Sequence, residues 1–145
     1  MRRVVATGTF EIVHPGHLYY LEESRRLGDE LFVIVARDVN VRHKPCPVIP
    51  EEQRVRVVAA LRPVDHALLG DSTDIFRPIR EIMPDIVTLG FNQHFEEAAL
   101  QSALVDQGLS TRVVRIGKYD GPLCSSRMVM KRILEIRGKD TPCGA

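Results

Sequence analysis

Five short apolar runs lie along the chain, and they lack the polar alternation expected of a strand with one face in water. They are rich in branched side chains. Runs of this kind are typical of strands that are buried on both faces of a parallel sheet. The pattern therefore predicts five parallel strands, at residues 4–6, 31–36, 66–69, 86–89 and 112–116.

Segments with apolar residues at helical spacing separate these runs. Leu18 and Leu21 share one stripe of the first segment, and Val129, Ile133 and Ile136 lie on one side of the last. Glycine follows several of the segments, as is common just past the end of a helix. The spacing predicts five helices, at residues 15–27, 51–61, 76–83, 96–107 and 125–137.

Alternating buried strands and helices predict an α/β domain built on a Rossmann-like, doubly wound, five-stranded parallel sheet. No internal repeat or linker divides the chain, so a single domain is expected over residues 1–145, with its core at about 3–137 and a short tail at 138–145. Ligands of such sheets bind beyond the carboxyl ends of the strands, where the strand order reverses. The residues directly after each strand are therefore the candidates for function.

Composition excludes several classes of protein. Hydrophobic residues make up 44% of the chain and charged residues 27%, which argues against disorder. Lysine and arginine number 20 against 19 aspartates and glutamates, so the net charge of +1 favours neither nucleic acid nor a membrane as a partner. The longest apolar run, residues 31–36, is far shorter than the ~20 residues of a membrane helix. Together with a polar N-terminus, this predicts a soluble, cytoplasmic protein.

Three cysteines, Cys46, Cys124 and Cys143, show no C-x-x-C spacing. We expect free thiols in a reducing compartment.

The segment after the first strand has the residues of an anion site. Small residues at positions 7–9 let the backbone approach a ligand, and Pro15 favours the start of a helix. His14 and His17 are three residues apart and share one face of its first turn. Unpaired backbone N–H groups and the helix dipole favour an anion there. A metal site is the alternative, but no carboxylate or cysteine completes a familiar ligand spacing, and the usual dinucleotide and P-loop motifs are absent.

Residues 9–17, TFEIVHPGH, resemble the T-F-D-x-x-H-x-G-H signature of the cytidylyltransferase-like nucleotidyltransferases. Glu11 stands where that signature has aspartate. Further segments are similar to the archaeal FMN adenylyltransferases, the FAD synthase branch of this superfamily. They lie at residues 27–31, 35–38, 49–54, 62–65 and 84–90. The sister branch, glycerol-3-phosphate cytidylyltransferase, carries R-T-x-G-I-S-T-T near its end, where this chain has DGPLCSS at 120–126.

The resemblance implies an enzyme that transfers AMP from ATP to FMN and releases FAD and pyrophosphate. It implies a divalent metal cation, expected to be Mg²⁺, and a homodimer. The alternative enzyme is a cytidylyltransferase that acts on glycerol 3-phosphate or a similar alcohol phosphate. A third reading, from another class, is a regulatory nucleotide-binding protein without the chemistry, and His14, His17, Ser125 and Ser126 argue against it.

The resemblance also implies roles for individual residues. His14, His17 and Lys44 are expected to be catalytic, and the alternative for Lys44 is a place in a solvated basic loop. Ser125 and Ser126 are expected to hold the acceptor phosphate, although serine at a helix start is also a common cap. The expected nucleotide-binding residues are Thr9, Phe10, His14, Pro15, Gly16, His17, Asn92 and Tyr119, and no residue is expected to ligate a metal.

The expected chemistry makes modest demands on the protein. The second pKa of a phosphate monoester is about 6, so the attacking phosphate is already mostly dianionic at neutral pH and needs no general base. What remains is to hold two anions in line and to stabilise the charge that grows at the α-phosphate. Because a cation is disfavoured at a helix N-terminus, we expect His14 and His17 to act as neutral donors.

Overall fold

A single parallel sheet lies at the centre of the protein, for which a computed structural model describes residues 1–41 and 46–138. The strand order is β3-β2-β1-β4-β5, and each neighbouring pair is parallel. The strands are β1 (Arg3–Gly8), β2 (Glu30–Val35), β3 (His66–Leu69), β4 (Ile86–Leu89) and β5 (Arg112–Arg115). The strand order reverses between β1 and β4, so the expected switch point lies there.

Helices cover both faces of the sheet. Adjacent residues of β1 point to opposite faces, and Val4 belongs to one apolar cluster with Leu21 and Val58, whereas Val5 belongs to another with Ile79. Both clusters are almost inaccessible to solvent, which confirms the doubly wound α/β prediction. The helices are α1 (Pro15–Arg26), α2 (Glu51–Ala59), α3 (Arg77–Ile82), α4 (Glu97–Asp106) and α5 (Ser126–Arg137), and a 3₁₀ turn spans Asp38–Asn40.

The apolar side predicted for the last helix is not buried. Among the described residues of α5 none is buried, and Ile133 and Ile136 are exposed. In the first turn of α5, Ser126 bonds to Ile12 and so joins this helix to the segment after β1. Helical spacing therefore predicts the helix correctly but does not show whether its apolar side is buried.

Two further sequence expectations concern thiols and membranes. Cys46 and Cys124 are free, and Cys143 lies outside the described residues. None of the helices within 1–41 and 46–138 is long and apolar enough to cross a membrane.

A fully buried arginine, Arg54 of α2, joins the loops that follow β1 and β2 at the carboxyl edge of the sheet. Its Nε donates to the carbonyl of Ile49 at 2.8 Å, and its Nη1 donates to the carbonyl of Thr9 at 2.7 Å. Its Nη2 donates to Asp38 at 2.5 Å. A buried charge is tolerated only when its donors are satisfied, and here the partners are the loops that follow β1 and β2.

The same edge is held by a second ion pair. Arg37 Nη1 donates to Glu51 at 2.8 Å, and the other carboxylate oxygen of Glu51 accepts the backbone N–H of Asp38 at 2.9 Å. Arg37 Nε also donates to the carbonyl of Gly70, which follows β3. These bonds fix the start of α2 against the ends of β2 and β3.

We expect Arg54→Met to destabilise the protein markedly. The carbonyls of Thr9 and Ile49 would lose their donor, and a buried group left unsatisfied costs about 1–3 kcal/mol, so a loss of at least about 2 kcal/mol is predicted. Denaturant unfolding measures it. The matched control is Arg56→Met on the exposed side of the same helix, which should stay within about 0.5 kcal/mol of the parent protein. Equal effects of the two substitutions would contradict the role given to Arg54.

Candidate active site

His14 and His17 cap the start of α1 with their imidazoles. His14 is the N-cap residue, and its Nδ1 accepts the backbone N–H of Gly16 at 3.0 Å. In return, the backbone N–H of His14 donates to Nδ1 of His17 at 3.3 Å. This is a capping box in which two imidazoles replace the usual hydroxyl and carboxylate, and it places the ring centroids 3.9 Å apart.

The capping bonds determine which ring nitrogen carries the proton. A neutral imidazole has one donor and one acceptor nitrogen, and Nδ1 is the acceptor in both His14 and His17. The proton of each neutral ring therefore lies on Nε2. Burial lowers the pKa of His14 below its usual value of 6.5, which favours this neutral form.

The backbone donors expected at this helix start are in fact engaged. Pro15 has no backbone N–H. The backbone N–H of Gly16 donates to the ring of His14, and the backbone N–H of His17 donates to the carbonyl of His14 at 2.9 Å. The expectation that these groups are unpaired is wrong, because the cap and the first turn use them. The donors that His14 and His17 bring to this position are their Nε2–H groups.

Phe10 supports the histidine pair from inside. Its backbone is in the left-handed region at φ 53°, and its side chain is only 3% exposed. A Cβ at Gly8 would lie 2.8 Å from the ring of Phe10, so only glycine fits there. The ring centroid of Phe10 is 5.2 Å from that of His17. A nucleotide contact at Phe10 would therefore involve its backbone.

The start of α5 lies against the start of α1. A Cβ at Gly16 would lie 2.9 Å from the carbonyl oxygen of Cys124, so glycine lets the two segments meet. Ser126 Oγ donates to the carbonyl of Ile12 at 3.1 Å and accepts its N–H at 3.3 Å. The predicted second phosphate-binding segment is thus adjacent to the first.

The two serines differ in what they offer to a ligand. Ser125 is the N-cap of α5, and its Oγ accepts the backbone N–H of Met128 at 3.1 Å. Its hydroxyl proton meets no acceptor within the described part of the chain, whereas the proton of Ser126 is used on Ile12. Ser125 is therefore the better placed of the two to donate to a phosphate.

Two residues that the sequence analysis missed hold the loop after β4 in place. Asn92, the expected nucleotide contact, is exposed. Its neighbour Gln93 bonds to Gly90 and to Thr7 at the end of β1. Arg115, the last residue of β5, donates to the carbonyls of Gly90 and Gln93 at 2.8 and 3.0 Å. The signal that could have found them is their position beside strand ends, although their partners are backbone atoms that no motif records.

The remaining predicted residues have different surroundings. Tyr119 is half-buried, and its ring lies 5.8 Å from that of Tyr19 in α1, so packing accounts for part of its environment. Glu11 accepts the backbone N–H of Val48 at 2.5 Å, and this bond holds the segment before α2 near the histidines. Lys44 lies outside the described residues.

The carboxylates of this edge do not form a metal site. Among residues 1–41 and 46–138, no three histidine, cysteine, aspartate or glutamate side chains are close enough to hold an ion. The carboxylates of Asp38 and Glu51 instead bond to Arg54 and Arg37. The donor set of the described chain therefore does not fit a resident metal ion.

Comparison with known proteins agrees with this geometry. The family described as cytidylyltransferase-like matches residues 5–132. A protein named FAD synthase from Methanosphaerula palustris is 64% identical over 99% of this chain and 95% of its own length. A protein of the same name from Methanoculleus marisnigri is 65% identical over 100% of this chain and 97% of its own length.

Solved structures support the fold. The lipopolysaccharide core biosynthesis protein of Thermoplasma volcanium superposes with a TM-score of 0.80 at 47% identity, covering 83% of this chain and 99% of that one. Thermotoga maritima TmcAL, bound with alpha-thio ATP, gives a TM-score of 0.71 at 12% identity, covering 95% of this chain and 51% of that one, which shows a shared fold alone.

The capping role of His14 predicts a dependence of stability on pH. Because its pKa is lower in the folded protein, the unfolded chain binds more protons as the pH falls below 6.5. Stability from this group is present above 6.5 and is lost as the pH falls toward the lowered pKa. The free energy of unfolding, measured with denaturant between about pH 8 and pH 5, should therefore fall less steeply with pH for His14→Asn than for the parent protein. The amide oxygen of asparagine keeps the cap without titrating. An unchanged slope in His14→Asn would contradict this account.

Proposed function

The chain belongs to the cytidylyltransferase-like family, and from that premise we propose that it transfers AMP from ATP to FMN, giving FAD and pyrophosphate. The observation that carries the proposal is the 64–65% identity to FAD synthases over nearly the whole length of both chains. The match extends over nearly the whole of both chains and not only over the phosphate-binding segment at residues 9–17. A cytidylyltransferase acting on glycerol 3-phosphate is not favoured by these relatives.

The reaction replaces one phosphoanhydride bond by another. A phosphate oxygen of FMN attacks the α-phosphorus of ATP, and the bond between that phosphorus and the bridging oxygen breaks. The electron pair leaves with pyrophosphate. The attacking phosphate has a second pKa of about 6 and is already deprotonated, so no residue needs to act as a general base.

His14 and His17 supply neutral donors to this step. Their Nε2–H groups are fixed by the capping bonds on the opposite ring nitrogen, so no proton has to be rearranged before they donate. Donors held in place before the reaction stabilise the charge that develops on phosphate oxygens in the transition state. We assign them that role, with Lys44 as a further cation toward the phosphates.

The other predicted residues divide between the two substrates. Ser125, whose hydroxyl proton is not used in capping, donates to the phosphate of FMN, with Ser126 holding the segment in place. Asn92 and Tyr119 are proposed to contact the nucleotide, together with the segment from Thr9 to Gly16.

The divalent metal is proposed to enter with the nucleotide, as the Mg²⁺ complex of ATP. Mg²⁺ is commonly bound by substrate phosphates and water with few protein carboxylates. The absence of a three-residue ligand cluster in the described chain is compatible with an ion of that kind. A homodimer and a cytoplasmic location stay predictions of the sequence analysis.

The proposed activity is tested by supplying the protein and Mg²⁺ with each pairing of ATP or CTP with FMN or glycerol 3-phosphate. We expect FAD and pyrophosphate from ATP and FMN, and no pyrophosphate from CTP and glycerol 3-phosphate. Chromatography with flavin fluorescence identifies FAD. Release of pyrophosphate only from CTP with glycerol 3-phosphate would overturn the proposal.

His17→Ala separates catalysis from binding. Loss of one preorganised donor typically costs on the order of 10²–10³ in rate, so turnover should fall by at least about a hundredfold. ATP affinity, measured by calorimetry, should stay within a few-fold of the parent protein, because the donor acts mainly in the transition state. His66→Ala is the matched control, since His66 is exposed and bonds to Glu30 at the opposite end of the sheet. If His17→Ala greatly weakened ATP binding but left turnover at saturating ATP unchanged, His17 would be a simple binding group.

A further inference from the structure

Gln93 connects the two strands that part at the switch point. The pairing of β1 with β4 stops at Ala6 and Thr88, whereas β1 stays paired with β2 as far as Gly8. Beyond that point the carboxamide of Gln93 spans the gap. Its Nε2 donates to the carbonyl of Thr7 at 3.1 Å and lies 3.3 Å from the Oγ1 of Thr7.

The other end of the same carboxamide fixes the loop after β4. Gln93 Oε1 accepts the backbone N–H of Gly90 at 2.6 Å. Arg115 bonds to the carbonyls of Gly90 and Gln93, and its guanidinium also bonds to Glu97 and to the carbonyl of Phe95. The loop is thus tied to β5 by Arg115 and to β1 by Gln93.

Thr7 is itself held in place by Tyr20 of α1. The buried hydroxyl of Tyr20 accepts the N–H of Thr7 at 3.1 Å and lies 3.0 Å from the carbonyl oxygen of Thr88. Burial raises the pKa of Tyr20 to about 12, so the hydroxyl stays protonated and keeps its donor. Thr7 is therefore a fixed point, and the position of the loop after β4 depends on its link to Thr7.

We propose that Gln93 is a positioning residue for the nucleotide: its carboxamide sets the width of the crevice between the loop after β4 and the end of β1. This inference rests on the proposed function, because it takes ATP as the ligand of the crevice. The loop carries Asn92 directly before Gln93, and β1 leads into the segment that contains His14. A change in the width of the crevice would therefore move Asn92 relative to His14.

A neutral amide is required at this position. Gln93 faces one backbone N–H and one backbone carbonyl, so it needs an acceptor and a donor at the same time. In Gln93→Glu the first oxygen still accepts from Gly90, but the second meets the carbonyl of Thr7 without a proton to share. In Gln93→Met a chain of similar length remains and both bonds are lost.

Gln101→Glu is a matched control within the same fold. Gln101 of α4 also bridges two backbone groups, donating to the carbonyl of Thr111 at 2.5 Å and accepting the N–H of Val113 at 3.0 Å. These partners lie at the amino end of β5, on the edge of the sheet away from the histidines. The substitution breaks the same kind of bridge and should lower stability without changing the crevice.

The experiment measures ATP binding by calorimetry with Mg²⁺ and without FMN, then KM for ATP and kcat with FMN at saturation. For Gln93→Glu and Gln93→Met we expect Kd and KM for ATP to rise by up to about tenfold, because losing a hydrogen bond worth about one factor of ten lowers the population of the binding-competent crevice by up to that factor. We expect kcat at saturating ATP to change much less. Gln101→Glu should lower the melting temperature to a similar degree and leave Kd for ATP within about twofold of the parent protein, since independent sites do not couple.

Three results would overturn the inference: ATP affinity unchanged in both Gln93 variants, an equal loss of affinity in Gln101→Glu, or no ATP binding by the parent protein. Gln93→Met serves if Gln93→Glu fails to fold, and thermal unfolding checks each variant first. If the parent protein binds ATP but makes no FAD from FMN, the proposed acceptor is wrong, while the Kd values still decide the role of Gln93.

Discussion

The buried guanidinium of Arg54 is the contact on which the carboxyl edge of the sheet depends. Its donors meet the carbonyl of Thr9 in the loop after β1, and the carbonyl of Ile49 and the carboxylate of Asp38 in the connection from β2 to α2. A charge without solvent needs every one of these partners, so the loops cannot move apart without leaving it unsatisfied. The segment that begins with Thr9 is thereby held in place before it reaches His14.

The capping bonds of His14 and His17 stabilise the start of α1 and also determine which ring nitrogen can donate to a ligand. The Nδ1 atoms of His14 and His17 satisfy backbone donors at the start of α1, and this leaves the proton of each neutral ring on Nε2. A carboxylate would cap the helix equally well but would present no donor to an anionic ligand. The arrangement suits a reaction in which the nucleophile is already ionised and the protein has only to hold and stabilise charge.

The sequence was sufficient for the strands, the helices and the place of His14 and His17 at the start of α1, because these depend on local periodicity and on residues that are close along the chain. It was not sufficient for contacts between distant segments. Gln93 and Arg115 act on backbone carbonyls brought near by the strand order, and Arg54 acts on the carbonyl of Thr9 in the loop after β1, far from it in the sequence. The left-handed backbone of Phe10 follows from packing of its ring over Gly8, which no propensity of phenylalanine indicates.

The central claim is that His14 and His17 are neutral at neutral pH and donate from Nε2. Nitrogen NMR of the protein labelled in its histidine rings, with His14→Asn used for assignment, tests it most directly. The account predicts an unprotonated Nδ1 and a protonated Nε2 in both rings, with the Nε2 resonances moving when Mg²⁺ and ATP are added. Rings protonated on Nδ1, or on both nitrogens at neutral pH, would contradict it.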